Sequence, residues 1–290
     1  MKFNSIKILL VLCILILSSC NFFISKEEKI KEFTKQGKIA FDKKDYNKAD
    51  EMYSSIIKID SLNGNAYANL GFINFYSNKF IVAIKMFDQA IKINAIDEVY
   101  FYRGLSKQYL HEYKDAICDY DTAISLDNSY AKAYHNRGLC YENLGEYNKA
   151  IYNCKTAIEL NSSPALRAVA YTIIGASEDA LGKYDSAFEY YSQAIIAFPQ
   201  YSEAYYQRAS LYLSKNKPNE AILDCTKAIA YNKNNGLYYK GRGLAYWAAS
   251  KTDSACLDFK KAAEFGTPGA ENFARKVCVP NPPSYKALNM

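Results

Sequence analysis

Residues 131–164 read AKAYHNRGLCYENLGEYNKAIYNCKTAIELNSSP, and three small residues within them, Gly138, Ala150 and Ala157, decide how the whole chain is read. Sliding the sequence along itself places Gly138 in a column of Gly37, Gly71, Gly104, Gly138, Gly175, Ala209 and Gly243. Ala150 belongs to Ala49, Ala83, Ala116, Ala150, Ala187, Ala221 and Ala255, and Ala157 to Ile56, Ala90, Ala123, Ala157, Ala194, Ala228 and Ala262. All three columns advance by the same steps of 34, 33, 34, 37, 34 and 34 residues, irregularities included, so they mark one repeating unit.

Large residues stand between these columns. Phe33, Tyr67, Tyr100, Tyr134, Tyr171, Tyr205 and Tyr239 come early in each unit, and Tyr53, Phe87, Tyr120, Cys154, Tyr191, Cys225 and Phe259 come late. Small residues let two helices approach closely while large ones fill the space beside the contact, so each unit is predicted to be a helix hairpin. Gly145-Glu146 and Gly182-Lys183 mark turns, and second helices open near Tyr46, Phe80, Tyr113, Tyr147, Tyr184, Pro218 and Thr252. Pro218 suits a first helical turn, where the missing N–H has no partner to lose.

This pattern resembles the tetratricopeptide repeat, over residues 30–266 in seven units: 30–63, 64–96, 97–130, 131–163, 168–201, 202–235 and 236–266. Gln36 in place of leucine, Ala209 in place of glycine and a single inter-unit proline, Pro199, are the departures. The resemblance implies an all-α, right-handed solenoid of seven hairpins. The step of 37 residues puts an insertion at Ser162–Arg167, as a longer loop or an extra helical turn. A capping helix is expected within 267–279, where Phe273, Ala274 and Val277 share a face, and Pro280, Pro282 and Pro283 then forbid further helix in the tail 280–290.

The two histidines suggest no chemistry. His111 reads as a turn residue and His135 as a contact on the groove side of its helix, and neither sits in a zinc-type spacing. With no phosphate loop and no serine elbow, the chain is expected to use no metal or cofactor and to be no enzyme. Carboxylates have a structural explanation. Arg103, Arg137, Arg208 and Arg242 precede the glycine column, and the second helices of those units carry Asp119, Asn153, Asp224 and Asp258. Where the first-helix residue is Gln36, Leu70 or Ile174, its counterpart is Met52, Met86 or Tyr190. The two columns switch together, so each arginine is expected to bond the acceptor within its own hairpin. Pairing with the preceding hairpin would set Arg103 against Met86 and Arg208 against Tyr190.

Of eight cysteines, Cys140, Cys154 and Cys225 occupy apolar or small-residue columns and read as core. Cys118 reads as more exposed. The ending from Ala255 through Cys256 and Gly266 to Cys278 resembles that of many Bacteroidetes tetratricopeptide lipoproteins, which implies a Cys256–Cys278 disulfide.

At the other end, Lys2 and Lys7 flank the start of an apolar run, Ile8–Leu17, too short to span a bilayer and the length of a signal-peptide core. Leu17, Ser18, Ser19 and Cys20 resemble the bacterial lipobox, which implies removal of 1–19, lipidation of Cys20 and a tether at 20–29. Asn21 is not the retention aspartate of the enterobacterial sorting rule, which points to the outer membrane, facing the periplasm. Cleavage leaves 34 basic against 30 acidic residues, too balanced for a nucleic-acid footprint.

The expected function is a membrane-anchored scaffold that binds envelope proteins or peptides through a concave groove; the alternative is a small-molecule or glycan receptor using the same groove. In the family register the groove is lined by Phe72, Phe75 and Tyr76, then Phe101, Leu105 and Tyr109, then His135, Leu139 and Asn143. These residues either form that surface or pack as core between neighbouring helices. The basic clamp by which some members grip a C-terminal carboxylate is not met: Ala68, Phe72, Tyr102, Lys132 and Asn136 stand in its places.

Overall fold

The computed structural model describes residues 25–94, 97–160 and 163–279. The expected signal peptide, Cys20 and the tail 280–290 lie outside the described residues. Among the described residues there are fifteen helices and no strand. The described residues fall into two compact units, those up to 110 and those from 111 onward. The first holds α1 (Lys26–Asp42), α2 (Tyr46–Ile59), α3 (Gly64–Tyr76), α4 (Phe80–Ile93) and α5 (Asp97–Tyr109). The second begins with α6 (Tyr113–Leu126) and continues through α7 (Ala131–Asn143), α8 (Tyr147–Glu159), α9 (Pro164–Ala180), α10 (Tyr184–Ala197) and α11 (Ser202–Ser214). It ends with α12 (Pro218–Tyr231), α13 (Gly236–Ala248), α14 (Thr252–Glu264) and the short α15 (Ala270–Val277).

Helix starts follow from local chemistry. Ser25 caps α1 in a reciprocal box, its hydroxyl accepting from the Glu28 N–H at 3.0 Å while its own N–H donates to Glu28 Oε2 at 2.9 Å. Asp45, Asn63, Ser163 and Asn235 cap α2, α3, α9 and α13 through side-chain oxygens. Pro164 opens α9, which has 17 residues where α7, α11 and α13 each have 13. The insertion is therefore an added turn of helix, and the fifth unit starts at 164 instead of 168. In the turn after each first helix, one residue takes a left-handed conformation: Lys44, Asn78, His111, Gly145, Gly182, Asn216 and Ser250, with φ from 56° to 76°. Only Gly145 and Gly182 adopt it without steric cost.

Helices pair as the columns require. The alanines of the second column are fully buried, and the late large residues from Tyr53 to Phe259 are buried. A Cβ on Gly71 would lie 2.3 Å from the Phe87 ring, and one on Gly175 2.6 Å from Tyr191, so these glycines set how closely first and second helices approach. First helices also pack side by side, α3 on α5 in the first unit and α7 on α9, α9 on α11 and α11 on α13 in the second. At the end of the second unit α15 packs on α14, with Val277 fully buried among Trp247, Ala255 and Phe259.

Candidate binding surface

In the first unit the expected groove residues divide into surface and core. Tyr76 and Tyr109 are 45% and 57% exposed, and Phe72 and Leu105 are half-buried. Phe75 and Phe101 are core, at 8% and 4% exposure, which corrects their assignment to the groove. The reason lies in the sideways packing of first helices. Phe101 shares a register position with Ala68, His135 and Thr172, all buried, so that column is the seam between adjacent first helices and not their free face. Phe75 sits under a web of rings, edge-on to Tyr76 (5.4 Å), Phe80 (5.7 Å) and Tyr102 (5.2 Å).

Tyr109 stacks on Phe80 with centroids 4.7 Å apart and planes 9° from parallel. Tyr102 meets Phe72 edge-on at 5.0 Å, and the Tyr76 and Tyr102 hydroxyls are 2.9 Å apart in a hydrogen bond. Phe41 of α1 extends the web by an edge contact with Tyr76 at 5.5 Å. The product is an aromatic surface whose rings are held by one another. Such a surface offers large apolar area with little rotamer freedom left to lose on binding.

In the second unit His135 is also core, 7% exposed, and its Nδ1 has no hydrogen-bond partner. Burial lowers its pKa to about 4, so the ring is neutral at pH 7. Leu139 is half-buried against Ile151, Cys154, Ile173 and Ile174, while Asn143 is exposed and donates to the Leu139 carbonyl at 2.8 Å. Carboxylates that the sequence reading passed over face this unit's first-helix side. Burial raises the pKa of Glu142 and Asp179, and Glu203 accepts from the Tyr238 hydroxyl at 3.0 Å.

Arginines form the other designed feature. Within their own hairpins, Arg137 Nε donates to Asn153 at 2.7 Å, Arg208 makes two bonds to Asp224 (2.8 and 2.9 Å), and Arg242 makes two to Asp258 (2.7 and 2.9 Å). Burial works to lower the Arg208 pKa, but the Asp224 hydrogen bond and charge outweigh it and leave the pKa raised. Each arginine also reaches the preceding second helix, a contact the column argument had excluded. Arg103 bonds Asp88 (2.6 Å), Arg137 bonds Asp121, Arg208 bonds Ser192 (3.1 Å) and Arg242 bonds Thr226 (3.4 Å). The acceptor lies two residues beyond Met86 or Tyr190, about 200° further round the helix, so it is on a different face from the one that carries those apolar residues. The early tyrosine three residues before each arginine completes the nest, with guanidinium-to-ring distances of 5.2–5.9 Å at Tyr134, Tyr100, Tyr239 and Tyr205. Arg103 and Asp119, expected to pair, fall in different units.

Cys256 and Cys278 are joined by a disulfide, with Cα atoms 5.1 Å apart, which ties α14 to the end of α15. Cys140, Cys154 and Cys225 are buried thiols outside any disulfide, and burial pushes their pKa values up to about 12, so they stay protonated. Cys118 is free and exposed. Among the described residues no group of three or more His, Cys, Asp or Glu side chains is placed to hold a metal ion, and no helix is long and apolar enough to cross a membrane.

Comparison with known proteins agrees with this architecture. Tetratricopeptide repeat families match residues 110–145, 131–164 and 174–236. A tetratricopeptide repeat protein of Parabacteroides merdae superposes with a TM-score of 0.70 at 24% identity, over 86% of this chain and 98% of that one. A Pseudomonas aeruginosa structure, that of pilF, gives 0.62 at 16% identity, over 73% and 95%. The TPR repeat-containing thioredoxin TDX of Arabidopsis thaliana is 32% identical over 83 residues, 29% of this chain. The chain spans about a fifth of that relative's length, 22%. Its paired helices, buried small-residue columns and these matches establish that the chain is built of tetratricopeptide repeats, an architecture suited to binding other proteins.

Proposed function

We propose that the chain is a lipid-anchored scaffold of the bacterial envelope, without catalysis of its own, that binds protein or peptide partners on the aromatic first-helix surface of its first unit. The observation that carries this reading is the exposure of Tyr76 and Tyr109 on a base of interlocked rings. Contiguous exposed aromatic area is a liability unless something covers it, and such rings supply much of the energy of protein interfaces. Support for the anchor comes from Leu17, Ser18, Ser19 and Cys20, with attachment to the outer membrane on its periplasmic side. The tether is short: four residues separate Cys20 from the first residue of α1's capping box, Ser25, and at ~3.5 Å each they keep the first hairpin within tens of ångströms of the lipid.

The test is cross-linking in native membranes with the wild-type chain and a Tyr76→Ala/Tyr109→Ala variant. Loss of the cross-linked protein with circular dichroism and melting unchanged is the expected result; an undiminished cross-link rejects the surface. Cys20→Ala should abolish incorporation of labelled palmitate and release the chain to the soluble fraction. A glycan could also stack on Tyr109. Glycan-array binding that the same double variant removes, with no protein cross-link, would favour that second reading.

A further inference from the structure

The turn edge of the second unit holds a cavity that the proposed partner surface does not use. It lies between α10 and α11, is lined by Tyr184, Asp185, Phe188, Tyr212, Lys215 and Lys217 with Leu211 at its base, and encloses about 410 Å³. The repeat register explains why it is open. Tyr184 occupies the position of Phe80 in the second hairpin, where the ring is covered by Tyr109 of the next first helix. The residue in the place of Tyr109 is here Ser214. The first unit thus fills with its own ring a space where the second has only the Lys215 side chain.

We infer that this cavity is a binding site for an aromatic ring that carries a single carboxylate. Tyr109 on Phe80 shows that a flat ring stacks at this place in the fold, and Phe188 and Tyr212, edge-on at 5.3 Å, form a second aromatic wall. The charge of the lining selects the ligand's charge. Lys215 and Lys217 are exposed and make no ion pair among the described residues, and Asp185 is the one acid in the lining, a balance of one positive charge. Lys215 Nζ lies 4.9 Å from the centroid of the Tyr184 ring. A ring entering there displaces the ammonium from the face of Tyr184 while leaving it within side-chain reach of the ligand's carboxylate. A zwitterion, with no net charge, matches the lining less well than a monoanion. The ligand is either a free aromatic acid or an aromatic residue at the carboxyl end of a peptide.

The probe is 3-phenylpropionate, titrated against the full chain by ligand-observed NMR, with 3-phenylpropionamide and zwitterionic phenylalanine as controls. For a ligand of this size the expected Kd is on the order of 1 mM, with the amide and the zwitterion about tenfold weaker. Ser214→Tyr, which supplies the internal ring as Tyr109 does, should abolish binding; Lys215→Met should make acid and amide equal. If Ser214→Tyr does not fold, Tyr184→Leu replaces it with the same expected loss. Equal binding of acid and amide to the wild type, no saturable binding, or binding that survives these variants overturns the site. Acetyl-Gly-Gly-Phe with a free carboxyl group separates the sources: tighter binding than 3-phenylpropionate assigns a chain end, and equal or weaker binding assigns a free acid.

Discussion

Asp224 accepts both bonds that Arg208 makes inside its hairpin, and the two side chains are only 9% and 19% exposed. Removing one partner strands a charge that water reaches poorly. Asp224→Ala is therefore expected to cost about 3 kcal/mol, read as a shift in the urea midpoint. The fifth hairpin shows the apolar solution at the same two positions, Ile174 and Tyr190, so Arg208→Ile with Asp224→Tyr should recover most of that loss. Additive single effects, with no coupling in the double-mutant cycle, would show that the pair is only incidental. His135 provides a pH test. Its folded pKa, about 4, lies below the ordinary 6.5, so the unfolded chain binds the extra proton between these values. Stability is full above about pH 6.5 and falls as pH drops toward 4; at pH 5 the loss is about 2 kcal/mol. His135→Leu should remove that slope, which urea titrations at pH 7 and pH 5 would reveal. Half of the arginine network was legible in the sequence, because Arg and its own acceptor switch together. The other half was not, since Asp88, Asp121, Ser192 and Thr226 share only an accepting oxygen, and Ser54 stands in the same place opposite Leu70 with no arginine to bond.

Helix pairs were the most legible elements, because the spacing of small and large residues encodes the contact that each pair makes. What spacing does not report is which free-looking column becomes a seam once first helices lie side by side. Phe101 and His135 were lost from the groove for that reason, Phe75 because neighbouring rings cover it, and Tyr76 and Tyr109 kept their exposure because they sit near helix ends, beyond the seam. The turns carry a prediction of their own. Ser250 and Lys44 hold φ near 60° without the freedom of glycine, while Gly145 and Gly182 occupy the equivalent place without strain. Ser250→Gly should stabilise the chain by about 1 kcal/mol, and Gly182→Ala should destabilise it by a similar amount. Opposite signs in thermal melts are the expected outcome; equal signs would show that the turn conformation is not what these residues decide.

Across each unit, helices pack mainly against the next one or two in sequence, so stability is largely a sum of hairpins and the junctions between them. The disulfide acts on the last of these. In the chain-entropy description a loop of this span, 22 residues apart in sequence, contributes about 3 kcal/mol. Cys256→Ser with Cys278→Ser should lower hydrogen-exchange protection in α14 and α15 and leave α7 and α8 unchanged; uniform loss would contradict the local character of the array. The arginine column has a mechanical consequence as well. Guanidinium bonds have direction and resist twisting of one hairpin against the next, whereas apolar contacts allow sliding at little cost. Arginine clamps the junctions entering the fourth, sixth and seventh hairpins, but the fifth presents Ile174 toward a helix bearing Lys155, with no such clamp. Under torque the second unit therefore has one joint without a directional clamp between joints that have one.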